Sequence, residues 1–259
     1  MMKWLQADLA SNTQQWTVAF FHHPPYSKGS HDTDSDKKED RGSKEMRENF
    51  VTTLEAGGVD LVLCGHSHAY ERSWLMEGHV GKSTNFSLSM IRSYGNGRVD
   101  HDGPFRKSTL VPTGHEGTVY VVAGSSGQVG GVKDMHPAMV LALNVAGSLV
   151  LDVNGPRLDV TFLDSLGNNR DYFSMVRGGG GLPLTGRERE TRSANLGIDQ
   201  SRARFRPLLE SEPFRFALLT NTLPSDLPQL LSLYTNTTNI RHKQRLTWAL
   251  GAIGNGEVA

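Results

Sequence analysis

Two short apolar runs constrain the fold of this chain more than any other feature. They are WTVAFF at residues 16–21 and VDLVLC at residues 59–64, and neither alternates apolar with polar side chains along its length. A helical pattern lies between them, in which Met46, Phe50 and Leu54 recur every four residues. Continuous apolar strands joined by a helix are typical of neighbouring parallel strands that are buried on both faces. The sequence therefore predicts an α/β fold that contains a parallel strand pair.

Local signals predict where the flanking helices lie. Ser43 is expected to cap the helix between the two runs, and the glycine pair at residues 57–58 is expected to end it in a left-handed turn. An earlier helix carries Trp4, Leu5 and Leu9 about one turn apart, so all three side chains should face the sheet.

A second, mainly antiparallel sheet is predicted from Thr118 onward, where short runs rich in valine follow one another. The dipeptide Asn154-Gly155 favours a tight hairpin turn within this part. The run of four glycines that begins at residue 178 indicates a boundary. We therefore expect one domain over residues 1–177 and a poorly defined C-terminal extension over residues 178–259.

Composition and apolar patterning give no indication of a nucleic-acid-binding protein, a membrane-spanning protein or a protein held together by disulfides. The 27 basic side chains balance 27 acidic ones, so charge gives no indication of a nucleic-acid or membrane partner. The longest apolar stretch, residues 138–153, is interrupted by polar residues and is shorter than the ~20 residues that span a bilayer. The N-terminus does not resemble a signal peptide. Cys64 is the only cysteine and lies in an apolar run, so it is expected to be a buried thiol.

Both apolar runs end in histidines. His22 and His23 follow the first run, and His66 and His68 follow the second, directly after Gly65. Parallel strands end at the same edge of a sheet, so the two pairs should converge. In an extended segment, side chains two residues apart point the same way, and Gly65 would let the backbone approach the site closely. Neutral imidazole binds zinc, iron and manganese, so the pattern predicts a metal site.

A metal site of this kind supports hydrolysis. An ion held by three imidazoles with one open position lowers the pKa of bound water from ~15.7 to about 7 and supplies a hydroxide nucleophile. The sequence contains no GxSxG, HExxH or CxxC motif, which removes the usual support for a serine hydrolase, a zinc protease or a structural zinc site.

These residues resemble the calcineurin-like metallophosphoesterases, and among them the purple acid phosphatase branch. FFHHPPYS at residues 20–27 and GHSHAYERS at residues 65–73 are similar to the last two metal motifs of that family, and the resemblance extends over roughly residues 1–177. It implies the C-terminal half of a four-layer α/β/β/α sandwich, in which a parallel or mixed sheet is followed by a mainly antiparallel sheet.

The resemblance also implies a role for each histidine of the two motifs. His22 and His66 would share one metal ion and His68 would bind its neighbour, the pair being Fe, Zn or Mn. His31 occupies the place of a residue that contacts the phosphate or protonates the leaving group, and we expect it to be catalytic. His23 is expected to pack beside the site or to support its ligands.

Other polar residues receive a structural role or none. Tyr70 and Arg72, from the YER tail of the second motif, are expected to form structural hydrogen bonds. Four more histidines lie in loops or glycine-rich segments and are assigned no role: His79, His101, His115 and His136.

The implied function is hydrolysis of phosphoric monoesters, in which metal-bound hydroxide attacks phosphorus and His31 stabilises or protonates the leaving oxygen. The expected partner is a small phosphorylated substrate, without nucleic acid or membrane, and the family implies a secreted or periplasmic location. The sequence lacks the upstream GDxxY and GNHE motifs of the family, so the chain is expected to begin midway through a longer protein and to supply part of a dinuclear site. Three alternatives stay open: a phosphodiesterase of the same fold, a mononuclear zinc hydrolase, and an inactive metal-binding fragment.

Overall fold

The computed structural model describes residues 1–178, which form two β-sheets and three α-helices. The helices are α1 (Met2–Ser11), α2 (Arg41–Glu45) and α3 (Val51–Ala56). The strands are β1 (Val18–Phe21), β2 (Leu61–Cys64), β3 (Tyr70–Met76), β4 (Ile91–Ser93), β5 (Phe105–Lys107), β6 (Thr118–Ala123), β7 (Met139–Leu143), β8 (Gly147–Asn154), β9 (Arg157–Asp164) and β10 (Asn169–Arg177). Residues 179–259 lie outside the described residues, so the predicted domain boundary and extension stay predictions.

The first sheet contains the predicted parallel strand pair. Its order is β1-β2-β6-β3-β4, and β7 pairs with β3. Strands β1, β2 and β6 run parallel, whereas β3 is antiparallel to β6. The register places Val18 opposite Leu61 and Phe21 opposite Cys64. Both apolar runs therefore end at the same edge of the sheet, and Cys64 is buried as expected.

Strand β1 is not buried on both faces, which corrects the prediction from its apolar sequence. It is the outermost strand in the order of the first sheet, and Phe20 is 83% exposed. Strand β2 lies between β1 and β6, and its Leu61 and Val62 are fully buried. An apolar run alone does not distinguish an outer strand from an inner one.

The helix between β1 and β2 begins earlier than predicted. A 3₁₀ turn at Lys38–Asp40 leads into α2, and a π-helical segment at Met46–Phe50 joins α2 to α3. Ser43 therefore lies inside α2, where it is buried, and it does not cap the helix. The predicted left-handed end is found at Gly58, whose φ is 73°.

Helix α1 buries fewer side chains than predicted. Leu5 and Leu9 are half-buried, and a Cβ atom added at Gly57 would lie 2.5 Å from the Leu9 side chain. Trp4 was expected on the same face but is 66% exposed. No helix within residues 1–178 is long and apolar enough to cross a membrane.

The second sheet has the order β5-β10-β9-β8 and is antiparallel except for the β5–β10 pair. A mixed sheet followed by a mainly antiparallel one is therefore confirmed. Two strands predicted for the second sheet belong to the first, because β6 pairs with both β2 and β3 and β7 pairs with β3. Strand β5, which precedes Thr118, belongs to the second sheet. The predicted hairpin joins β8 to β9, and because Asn154 pairs with Arg157, the turn residues are Gly155 and Pro156.

The core lies between the two sheets. Val119 and Val121 of β6 pack there with apolar side chains of the second sheet such as Val160. Tyr120, between them, points to the opposite face, where its hydroxyl donates to Glu55 of α3 at 2.8 Å. Residues 1–178 therefore supply three of the four predicted layers, in the order helices, sheet, sheet.

A buried ion pair joins the first sheet to the second near the site. Arg72 of β3 forms a bidentate pair with Asp171 of β10, with Nε–Oδ2 and Nη2–Oδ1 distances of 2.6 and 2.9 Å. The Tyr70 hydroxyl donates to the same carboxylate at 2.7 Å. These contacts agree with the structural role expected for Tyr70 and Arg72.

Candidate metal centre

The ends of β1 and β2 bring His22 and His66 together. The Gly65 N–H donates to the His22 carbonyl at 3.0 Å, which continues the strand pairing one residue beyond Phe21 and Cys64. The side chains then meet, with His22 Nε2 and His66 Nδ1 separated by 3.2 Å. Two nitrogen ligands at about 2.0–2.1 Å from one ion lie roughly 3 Å apart, so this spacing fits a shared metal ion.

The segment Gly65-His66-Ser67-His68 is a turn and not the extended segment that was predicted. His66 has a φ of 60°, and the Ser67 N–H donates to the Gly65 carbonyl at 2.7 Å. The side chains of His66 and His68 were predicted to point the same way because the segment was expected to be extended, and the turn removes that reason. Gly65 also has less importance than expected, because a Cβ atom there would lie 3.6 Å from His22 Nδ1, an ordinary contact.

His31 lies against the other side of His66 and is paired with Asp40. The ring centroids of His31 and His66 are 4.0 Å apart, and His31 Nδ1 lies 2.9 Å from Asp40 Oδ1. Only 4% of the Asp40 side chain is exposed. Because an ionised carboxylate only accepts hydrogen bonds, Nδ1 of His31 must carry the proton of this contact.

Asp40 is the site residue that the sequence did not identify. It falls in the charged segment SDKKED, which has the composition of a solvated loop. The fold places it at the start of α2, buried beneath His31 and 4.0 Å from His66 Nε2. No spacing rule in the sequence separates it from its acidic neighbours, so only the tertiary structure identifies it.

His23 was expected to pack beside the site or to support its ligands, and its ring lies close to those of His22 and His66. Its ring centroid lies 4.5 Å from that of His66 and 4.9 Å from that of His22. On its other side it packs on α2, where a Cβ atom at Gly42 would lie 2.7 Å from the ring. Within residues 1–178, two sets of three side chains have potential ligand atoms within 4.8 Å of one another: His22, His23 and His66, and His31, Asp40 and His66.

His68 lies outside both of these sets. Its backbone N–H donates to Ser30 Oγ at 2.8 Å, and its carbonyl accepts from the Gly130 N–H at 2.8 Å. Its ring centroid is 6.3 Å from that of His31. The structure thus gathers His22, His31 and His66 and places His68 next to them, on the side of His31.

The electrostatics of His66 suit a metal ligand. Burial, together with the nearby His31, His23 and His22, lowers the pKa of His66 to about 4, so its imidazole is neutral at pH 7. Its Nε2 atom is buried and has no hydrogen-bond partner among the described residues. A neutral ring whose Nδ1 atom faces His22 Nε2 at 3.2 Å is in the form that binds a metal ion.

Gly124 holds the turn of the second motif in place. A Cβ atom at Gly124 would lie 2.1 Å from the Ser67 carbonyl oxygen, so a side chain there forces the backbone of the turn to move. We expect Gly124→Ala to destabilise the chain by about 2–4 kcal/mol in urea denaturation. Gly127→Ala, in the same loop with no atom within 4 Å of the added Cβ, is the matched control and should change stability by about 0.5 kcal/mol or less. Equal losses of stability in the two variants would show that Gly124 does not hold the turn in place.

Comparison with known protein families supports the resemblance seen in the motifs. Residues 2–70 match the family model of the calcineurin-like phosphoesterases. An uncharacterized protein of Mycobacterium tuberculosis is 30% identical over 129 residues, which are 48% of this chain and 20% of that protein. Probable purple acid phosphatase 20 of Arabidopsis thaliana is 41% identical over 73 residues, which are 27% of this chain and 16% of that protein. The matched part is therefore at most about a fifth of the length of these relatives.

Among solved structures, a purple acid phosphatase from yellow lupin seeds aligns with this chain at 19% identity and a TM-score of 0.47. The alignment covers 69% of this chain and 28% of the lupin chain. A structure of PhoD aligns with 79% of this chain and 40% of its own, at 13% identity and a TM-score of 0.42. The similarity to the calcineurin-like phosphoesterase family rests on the sequence matches and not on these structural alignments. Those matches relate this chain to the calcineurin-like metallophosphoesterases, with purple acid phosphatases among its relatives.

Proposed function

We propose that this chain supplies the histidine part of a metallophosphoesterase site that hydrolyses phosphoric monoesters. The observation that carries the proposal is the 3.2 Å separation of His22 Nε2 and His66 Nδ1 at the ends of neighbouring parallel strands, with His31 and Asp40 beside them. Two imidazoles at this spacing are suited to one metal ion, and a third imidazole close by is suited to the substrate.

In this proposal His22 and His66 hold one ion of Fe, Zn or Mn, and His68 contributes to a neighbouring one. When bound, such ions act as Lewis acids that activate water and neutralise the charge of the phosphoryl group. The number of ions is part of the proposal. A metal-to-protein ratio near two supports the dinuclear site, whereas a ratio near one favours a mononuclear hydrolase built on His66 and its neighbours.

His31 is proposed to act on the substrate through Nε2, because its Nδ1 proton is engaged by Asp40. In the neutral ring Nε2 accepts a hydrogen bond from a protonated phosphate or water. In the protonated ring it donates to the oxygen of the leaving group. Asp40 would hold the ring in this orientation.

Turnover of two substrates tests the function. A protein that carries this chain together with the GDxxY and GNHE motifs, loaded with Zn²⁺, Mn²⁺ or Fe³⁺, should hydrolyse p-nitrophenyl phosphate faster than bis(p-nitrophenyl) phosphate, and removal of the metal with EDTA should abolish both reactions. Faster turnover of the bis-ester would favour a phosphodiesterase of the same fold. A chain that binds metal and hydrolyses neither ester would be the inactive metal-binding fragment. A secreted or periplasmic location and the lack of a nucleic-acid or membrane partner stay predictions.

Asp40→Asn tests the proposed role of His31. We expect the substitution to lower kcat by about 10–100-fold, because the amide can donate to Nδ1 and hold the wrong tautomer. Metal content, measured by plasma mass spectrometry, should not change, because Asp40 is not among the proposed ligands. Asp36→Asn, an exposed carboxylate nearby with 77% of its side chain accessible, is the control and should leave kcat unchanged. Loss of the metal in Asp40→Asn would show that Asp40 is a ligand.

A further inference from the structure

Glu71 is a buried carboxyl group that the proposed mechanism does not use. It lies on β3 between Tyr70 and Arg72, whose side chains reach the second sheet, and it points the opposite way, toward the histidine loops. It is fully buried, and it accepts a hydrogen bond from the Lys28 N–H at 3.0 Å. The ammonium group of Lys28 does not pair with it but with two other carboxylates, those of Asp32 and Asp34.

A chain of hydroxyl groups connects Glu71 to the loops that carry the histidines. Glu71 Oε2 accepts from the Ser27 hydroxyl, and Ser27 Oγ lies 2.8 Å from Ser67 Oγ. The His31 N–H points at Ser67 Oγ from 3.4 Å, and the Gly29 N–H donates to Ser27 Oγ at 3.1 Å. Ser27 has one hydroxyl proton, which it gives to Glu71, so Ser67 must donate to Ser27. Each group therefore donates a hydrogen bond to the next one, from the His31 N–H through the Ser67 and Ser27 hydroxyls to the Glu71 carboxylate.

We propose that Glu71 is a positioning residue of the metal site, whose carboxylate orders this hydroxyl chain and so fixes the loop of His31 against the turn of His66 and His68. Ser27 belongs to the loop after β1, Ser67 lies between the two histidines of the turn, and both are fully buried. Movement of either loop relative to the other breaks the chain. Where it concerns metal affinity, this inference rests on the proposed function, whereas the coupling of the two loops does not.

The chemistry of the surrounding groups explains why a carboxylate occupies this position. Groups that reach Glu71, such as the Ser27 hydroxyl and the Lys28 N–H, are donors, and an ionised carboxylate only accepts. A glutamine would place an NH₂ group against one of these donors. Burial of a carboxylate without an ion-pair partner is unfavourable, and here it raises the pKa of Glu71 to about 7 against the opposing hydrogen bonds of Ser27 and Lys28. The carboxylate form therefore predominates only above about pH 7. A neutral side chain would avoid this cost but would not order the hydroxyl chain.

Hydrogen exchange and metal binding together test the inference on the full chain. We expect Glu71→Gln to speed amide exchange at residues 28–31 and 66–68 by at least about tenfold, with the amides of β2 and β6 unchanged, because the loops open without global unfolding. The Zn²⁺ dissociation constant should rise by about 10–100-fold. Ser67→Ala, which leaves Glu71 intact, should give the same pattern. Ser125→Ala removes a fully buried hydroxyl that has no partner among the described residues, and it should change neither quantity.

A double mutant separates positioning from general destabilisation. If Glu71 acts through the hydroxyl chain, Glu71→Gln combined with Ser67→Ala should weaken Zn²⁺ binding no more than about the larger single substitution does. Additive effects, or faster exchange throughout the sheets, would overturn the inference while leaving the proposed function intact. If the wild-type chain binds no metal, the proposed function fails. A difference in loop amide exchange between Glu71→Gln and Ser125→Ala would still test whether the two loops are coupled.

Discussion

His66→Asn is expected to weaken Zn²⁺ binding by roughly 10²–10³-fold and to remove phosphatase activity with it. His66 is the one residue shared by both sets of potential ligands, and its Nδ1 faces His22 Nε2 at 3.2 Å. Four-ligand zinc sites bind with roughly 10–16 kcal/mol, so one ligand contributes about 3–4 kcal/mol, or two to three orders of magnitude in affinity. Isothermal titration with Zn²⁺ measures the change.

The control for this substitution is His115→Asn. His66 and His115 have φ values of 60° and 69° and are the only non-glycine residues with positive φ in the described part of the chain. Asparagine tolerates this conformation well, so both substitutions remove an imidazole without adding backbone strain. His115 pairs with Glu77 on the surface, and its substitution should leave Zn²⁺ affinity unchanged. Equal loss of affinity in the two variants would contradict the assignment of the site.

Asp60→Ala is expected to lower the free energy of unfolding by about 3–5 kcal/mol, a large part of the stability of a domain. Asp60 precedes β2 and is fully buried, with its Oδ1 atom 2.9 Å from the Lys107 ammonium of β5 and in contact with the Arg177 guanidinium of β10. Its other oxygen accepts from the Thr17 N–H at 2.9 Å. The substitution leaves two buried cations without this partner, and urea denaturation measures the loss.

Glu45→Ala is the matched control for a lost ion pair. Glu45 pairs with Arg41 at 2.9 Å on the surface, where 54% and 76% of the two side chains are exposed. Exposed pairs contribute about 0.2–1 kcal/mol, so this variant should differ little from the wild type. A loss below 1 kcal/mol in Asp60→Ala would mean that the pairs between the sheets do not stabilise the fold.

The fold was predictable where the sequence pattern is local. The apolar runs and the helix between them predicted the pairing of β1 with β2, because a short crossover favours parallel neighbours. Strand β6 was placed in the wrong sheet, because a valine-rich run packs equally well in either one and its partners β2 and β3 are distant in sequence. Strand β3 was not recognised, because its charged residues Glu71 and Arg72 are buried only through contacts with distant residues.

In the site, too, the positions that depend on local sequence were predictable, and those that depend on distant contacts or on an unusual backbone conformation were not. The positions of His22 and His66 followed from the ends of two parallel strands. The direction of His68 did not, because the positive φ of His66 turns the chain where an extended segment was expected. Asp40 is buried beneath His31, and the sequence does not distinguish it from its acidic neighbours. Glu71 is buried as well, and no role was assigned to it from the sequence although it lies in the YER tail.

The most direct test of the central claim is a crystal structure of this chain grown with Zn²⁺, with anomalous diffraction recorded at the zinc absorption edge. The account predicts an anomalous peak between His22 Nε2 and His66 Nδ1, at about 2.0–2.1 Å from each nitrogen. A map with no peak there, or with its strongest peak at the surface pair of His115 and Glu77, would contradict it.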